Sequence, residues 1–205
     1  MKKILKICGI RNPLKSYDGI NYLGFNFIKT SKRKISIEKA KKIITPENVN
    51  RVGLFGKFEN KVWQNLDKIY LDEIIKIAKE TKINSLQIYG NCDFGYLKKY
   101  GFYIIHAISY NEVNNIIKDE NIDLYIIDSP NPGSGKGYNY EILNRLKLSK
   151  PFLIAGGINE FNLQEVLTKV PNASGVDIAS GVDNGKNICN RKAKRIVKII
   201  DEINN

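Results

Sequence analysis

Short apolar runs, most ending in glycine or an acid, recur along the chain, and helical periodicities fill the gaps between them. The runs fall at residues 4–8, 22–28, 49–55, 85–89, 102–108, 124–128, 152–155 and 176–179, and each predicts a short buried strand. Apolar residues at helical spacing lie between them. Ile37, Ala40, Ile43 and Ile44 follow Ser36, a candidate N-cap, and Pro46 ends that pattern. Leu71, Ile74, Ile75 and Ala78 predict a longer helix, and 94–99, 112–118 and 140–146 predict brief ones. Leu163, Val166 and Leu167 predict a helix that stops before Pro171. Ala193, Ile196, Val197, Ile200 and Ile203 give a closing amphipathic helix. Residues 11–21 carry only a weak pattern, so any first helix is short. The segment 57–70, with the sole tryptophan Trp63, is long for a connection.

Eight strands alternating with helices imply a parallel sheet. The expected fold class is α/β, a single (β/α)8 barrel spanning residues 1–205 around an eight-stranded parallel core, near the lower size limit for that architecture. An open doubly wound sheet is the alternative; the missing GxGxxG after the first strand argues against its dinucleotide-binding version.

Composition changes this picture little. The net charge of +12 suits a nucleic-acid binder or the capture of an anionic small molecule. The lysines are scattered through every predicted helix, however, so a global lysine bias with a modest benefit for anion capture is the preferred reading, and no nucleic-acid partner is expected. Three widely spaced cysteines (Cys8, Cys92, Cys189), no CxxC and one histidine, His106, argue against a zinc site or a disulfide framework. No run approaches the roughly 18 uninterrupted apolar residues of a membrane span. Two lysines precede the first apolar run as in a signal peptide, but Lys6 interrupts it and no cleavage site follows. The expectation is a cytoplasmic protein.

Candidate chemistry concentrates at strand ends. Asp128 closes the sixth strand and enters a loop rich in Gly, Pro, Ser and Asn, where it could cap a turn or sit at a catalytic mouth. GSGKG at 133–137 is not a P-loop, because Pro130 and Gly137 stand where Gly and Ser or Thr are required. Gly156-Gly157 and Ser180-Gly181 follow strands seven and eight, the pair of loops that in barrels commonly binds phosphate.

The motifs KICGI (6–10), GFNF with SKR (24–33), VGLF (52–55), LQIYG (86–90), IIDS with GSGKGYNY, IAGGIN (154–159) and GVDIASGVDNGKN (175–187) occur in order along nearly the whole chain. In them the chain resembles the phosphoribosylanthranilate isomerases of tryptophan biosynthesis. The resemblance implies an Amadori rearrangement of a phosphorylated small-molecule substrate, without cofactor or metal. It assigns Cys8 as general base and Asp128 as general acid, Arg33 to the anthranilate carboxylate, Asp177 to substrate binding, and Gly156, Gly157, Ser180 and Gly181 to the phosphate. A buried cysteine is otherwise most often a small hydrophobe; Cys92 and Cys189 match no motif and keep that reading. Tyr89 stands where the family usually has histidine and Asn139 where it usually has aspartate, the first helix is short, and the region around Trp63 resembles an insertion. His106 is read as structural or substrate-adjacent. Other classes remain: a phosphosugar-binding barrel such as a pentose-phosphate epimerase, which one histidine supplies poorly with metal ligands, or a non-catalytic basic nucleic-acid binder. Oligomeric state is not legible.

Overall fold

The structure is a computed structural model describing residues 2–116, 119–130 and 135–205. Part of the 133–137 glycine motif and the end of the helix expected at 112–118 lie outside the described residues. Eight parallel strands close into a barrel: β1 (Ile4–Cys8), β2 (Tyr22–Asn26), β3 (Asn50–Phe55), β4 (Ser85–Tyr89), β5 (Tyr103–Ser109), β6 (Leu124–Asp128), β7 (Phe152–Ile154) and β8 (Gly175–Ile178). β1 pairs with both β2 and β8, which excludes the open sheet. Helices α1 (Ile37–Lys42), α2 (Lys68–Glu80), α3 (Phe94–Lys98), α4 (Leu163–Lys169) and α5 (Asn190–Asn204) pack around it.

Alternation along the strands sorts side chains into two cores. Leu5, Ile7, Leu23, Phe25, Ile88, Ile104 and Ile127 face outward and pack with the helices' buried faces, Leu71, Ile74 and Ala78 of α2 and Ile196 and Ile200 of α5 among them. Val52, Leu54, Ile105, Leu124, Ile126 and Leu153 fill the barrel interior, and Cys8 and Tyr89 join them at its upper end. A packed interior leaves chemistry only at the mouth.

Several expected elements differ. No helix follows β1, where Pro13 and Gly19 break the pattern. Ser36 does cap α1, accepting from the Lys39 N–H at 3.3 Å, but α1 ends at Lys42 and Ile44 is left exposed. Buried Arg51 explains the early stop. Its guanidinium donates to the Ala40 and Ile43 carbonyls at 2.9 and 2.6 Å and to Thr81 at 3.1 Å, tying the ends of α1 and α2 to β3. Tyr110–Asn115 and Tyr140–Arg145 are 3₁₀ turns where brief helices were expected. The connection 57–70 holds an unforeseen antiparallel hairpin, Phe58–Glu59 with Val62–Trp63. No helix among the described residues is long and apolar enough to cross a membrane.

Candidate active site

The barrel mouth opens into a cavity of about 660 Å³ lined by Cys8, Arg33, Asp128, Gly156, Gly157, Asp177 and Ser180, with Tyr89 and Trp63 on the far side from the glycines. Seven of the eight residues singled out from sequence therefore share one space. The eighth, Gly181, does not line it: a Cβ there would stand 2.0 Å from the Ile158 carbonyl oxygen. At Gly181 the β8 loop therefore packs closely on the β7 loop. Gly156 and Gly157 have φ of +87° and +69°, a backbone open to glycine at little cost. A Cβ on Gly157 would also strike the Gly137 backbone at 2.3 Å, so the β6 and β7 loops touch main chain to main chain. The Gly156 carbonyl accepts from the Tyr140 hydroxyl at 2.6 Å, and that of Gly157 from Asn162 Nδ2 at 3.0 Å.

Lys6 and Asp177 are register partners on β1 and β8 and both point inward. The Lys6 ammonium is fully buried and donates to Asp177 Oδ1 at 2.9 Å. Its pKa is raised: burial opposes the charge, but Asp177 and then Cys8 outweigh it. Cys8 lies two residues on, above Lys6 on the same face. Burial pushes its thiol up to about 11, while the Lys6 ammonium pulls it down, Asp177 pushes it up and Arg33 again lowers it. Across the mouth, burial raises the Asp128 carboxyl from 3.8 to about 6. The Ser129 N–H, donating to Oδ1 at 2.7 Å, acts against that rise, and the Asp177 charge adds to it. A thiol and a carboxyl thus face one cavity, with one proton held on sulfur at neutral pH.

Sequence reasoning missed Asp183. Its buried carboxylate accepts from Arg33 Nε at 2.9 Å and from the Arg11 guanidinium at 2.9 and 3.0 Å, holding two arginines at the rim. An acid within the β8 loop motif was the available signal. The Tyr89 phenol accepts from Gln87 Nε2 at 2.9 Å. His106 lies outside this cavity, on the outer face of β5, where its Nε2 meets the Gly90 carbonyl at 3.2 Å beside Phe94 and Tyr125. Among the described residues, no three His, Cys, Asp or Glu side chains gather where they could hold a metal ion.

Residues 5–200 match the family N-(5'-phosphoribosyl)anthranilate (PRA) isomerase. The chain belongs to the PRA isomerase family. As a family member it is an isomerase of tryptophan biosynthesis. It is 32% identical to the N-(5'-phosphoribosyl)anthranilate isomerase of Staphylococcus haemolyticus over 199 residues, covering 88% of this chain and 89% of the relative. With that of Streptococcus mutans it shares 30% identity, covering 96% and 97%. The PRA isomerase of Thermus thermophilus superposes with a TM-score of 0.77 at 23% identity, over 98% of this chain and 99% of that one. A second solved phosphoribosyl anthranilate isomerase, in complex with reduced 1-(o-carboxyphenylamino)-1-deoxyribulose 5-phosphate, superposes at 0.73 with 22% identity, over 98% and 100%.

Proposed function

We propose that the mouth of this barrel converts N-(5-phospho-β-D-ribosyl)anthranilate to 1-(2-carboxyphenylamino)-1-deoxy-D-ribulose 5-phosphate, with Cys8 as general base and Asp128 as general acid. The observation that carries the reading is that both side chains line one cavity together with Arg33 and the β7 and β8 glycine loops. The protonated Asp128 carboxyl gives its proton to the furanose ring oxygen. The C1–O bond breaks as the aryl nitrogen lone pair closes a cationic C=N. The Cys8 thiolate then takes the proton from C2, leaving an enolamine that ketonises to the product. General acid–base steps of this kind contribute about 10²–10⁴-fold each.

The reaction needs sulfur deprotonated and carboxyl protonated, the reverse of the resting arrangement. One proton moved from Cys8 to Asp128 makes both partners without exchange with solvent. The substrate favours that move, since its anionic groups and desolvation raise Asp128 and the cationic C=N stabilises the thiolate. Lys6 is the buried cation that helps hold the thiolate. Arg33, oriented by Asp183, meets the anthranilate carboxylate, and Asp177 faces the sugar. Gly156, Gly157, Ser180 and Gly181 receive the phosphate, and Gly181 also packs the two loops together. No metal or cofactor is required by these steps.

The test follows loss of phosphoribosylanthranilate fluorescence with purified protein. Wild type should turn the substrate over, while Cys8→Ala and Asp128→Asn, still folded, should lose nearly all activity. Either variant running at the wild-type rate would refute the assignment.

A further inference from the structure

The hairpin between β3 and α2 takes no part in these proton transfers. Asn60 and Lys61, at φ 51° and 64°, make its tight turn. Gln64 clamps both strands, its amide donating to the carbonyls of Glu59 at 3.2 Å and Val62 at 3.1 Å, and its N–H to that of Lys57 at 2.9 Å. Leu66 N–H bonds the Asn91 carbonyl at 2.8 Å, tying the segment to the loop after β4. So anchored, the hairpin sets its aromatic rings in place before any ligand arrives. Trp63 stacks on Tyr89 with centroids 4.4 Å apart and planes 26° from parallel, and Phe58 lies 4.8 Å from Trp63. The indole fits because residue 56 is glycine: a Cβ there would come within 2.9 Å of Trp63 Cζ3. Trp63 and Phe58 both line the cavity, and Phe58 remains 38% exposed, so an aromatic surface faces open space.

Position in the barrel says what that surface meets. The glycine loops follow β7 and β8, Arg33 follows β2, and the hairpin follows β3, the strand next to β2 and away from the glycines. In an ortho-aminobenzoate the carboxylate is bonded directly to the ring, so a ring whose carboxylate meets Arg33 lies beside it. With the phosphate at the glycines, the ring falls toward the hairpin. We propose that Trp63, supported by Phe58 and Tyr89, is a specificity-determining residue that receives the substrate's aryl ring. The inference rests on the isomerase reading and deepens it, assigning to this chain's own hairpin the discrimination of aryl from non-aryl phosphosugars.

Two ligands separate ring from phosphate: reduced 1-(o-carboxyphenylamino)-1-deoxyribulose 5-phosphate, and ring-less ribulose 5-phosphate. By calorimetric titration, Trp63→Ala should weaken the aryl ligand about tenfold, the size of a good aromatic pair, and change ribulose 5-phosphate by less than about twofold. Trp63→Phe should recover most of the loss, and turnover by Trp63→Ala should show raised KM with kcat nearly kept. In wild type, Trp63 is the sole tryptophan. Its emission should therefore fall on binding the aryl ligand, by energy transfer to the arylamine, and hold steady with ribulose 5-phosphate; this readout needs no variant. Equal losses for both ligands, unchanged affinity for the aryl one, or steady Trp63 emission while it binds would overturn the proposal. A wild type that binds ribulose 5-phosphate but not the aryl ligand would instead remove the isomerase reading on which it rests.

Discussion

Replacing Asp128 with asparagine should disable the enzyme and stabilise the fold at the same time. The carboxyl is raised from 3.8 to about 6 chiefly because burial disfavours its charge. A group raised on folding contributes stability that is complete below its unfolded value and is lost as pH climbs through the folded one. For Asp128 the loss develops between about pH 4 and pH 6 and is complete at pH 7, where a displacement of that size corresponds to about 3 kcal/mol. Asparagine carries no charge to bury and its oxygen can still accept the Ser129 N–H, now 2.7 Å from Oδ1. Urea unfolding at pH 7 should show Asp128→Asn more stable by up to about 3 kcal/mol, with a gain in Tm of about 6–12 °C. At pH 4 the difference should nearly vanish, because both side chains are then neutral. Turnover should fall about 10²–10⁴-fold, since the amide cannot supply the proton to the ring oxygen. In wild type the activity should drop below about pH 6 as Asp128 gains a proton while the Cys8 thiol keeps its own, leaving no base. A variant that loses activity and stability together at pH 7, or one as stable as wild type at both pH values, would refute the argument that burial of a charged Asp128 is what tunes it.

Other outcomes follow from neighbouring groups. With Cys92 and Cys189 changed to serine, alkylation of Cys8 in the substrate-free protein should run well below the rate of a free thiol at pH 8, because burial holds it near 11; a rate equal to free cysteine would contradict this. Lys6→Met strands the Asp177 carboxylate inside the barrel and should cost about 3–5 kcal/mol in urea unfolding. The double variant Lys6→Met with Asp177→Asn should recover most of it, and equal losses in single and double would show the pair is not the cause. His106, lowered from 6.5 to about 4 by burial, stabilises the fold fully above pH 6.5. That contribution should drain away between pH 6.5 and pH 4, by about 3 kcal/mol in all, and His106→Asn should remove this part of the acid sensitivity. A wild type and variant with the same slope of urea midpoint against pH would place the titration elsewhere.

Much of the scaffold was legible because each barrel strand is a compact, mainly apolar run, most of them ended by glycine or an acid, a local signal that needs no partner. Leu71, Ile74, Ile75 and Ala78 announced α2 for the same reason, and all four are buried on one face. Cys8 and Asp128 were legible as types at strand ends, whereas Arg33 and Asp177 stood out only through the resemblance of their motifs. The hairpin at Trp63 was not, since its strands of two residues are too short for alternation and Phe58 and Val62 stay exposed. The 3₁₀ turns after β5 and β6 read as helices from sequence, because six residues cannot separate a period of 3.0 from one of 3.6. What only the tertiary structure decided is which charges meet. Lys6 and Asp177 are 171 residues apart and became neighbours when β1 paired with β8; Asp183 reaches Arg33 from 150 residues away through that same closure. A residue's type and its strand position are properties of the local chain. The surroundings that set its proton affinity are assembled from opposite ends of it, and exist only once the barrel has closed.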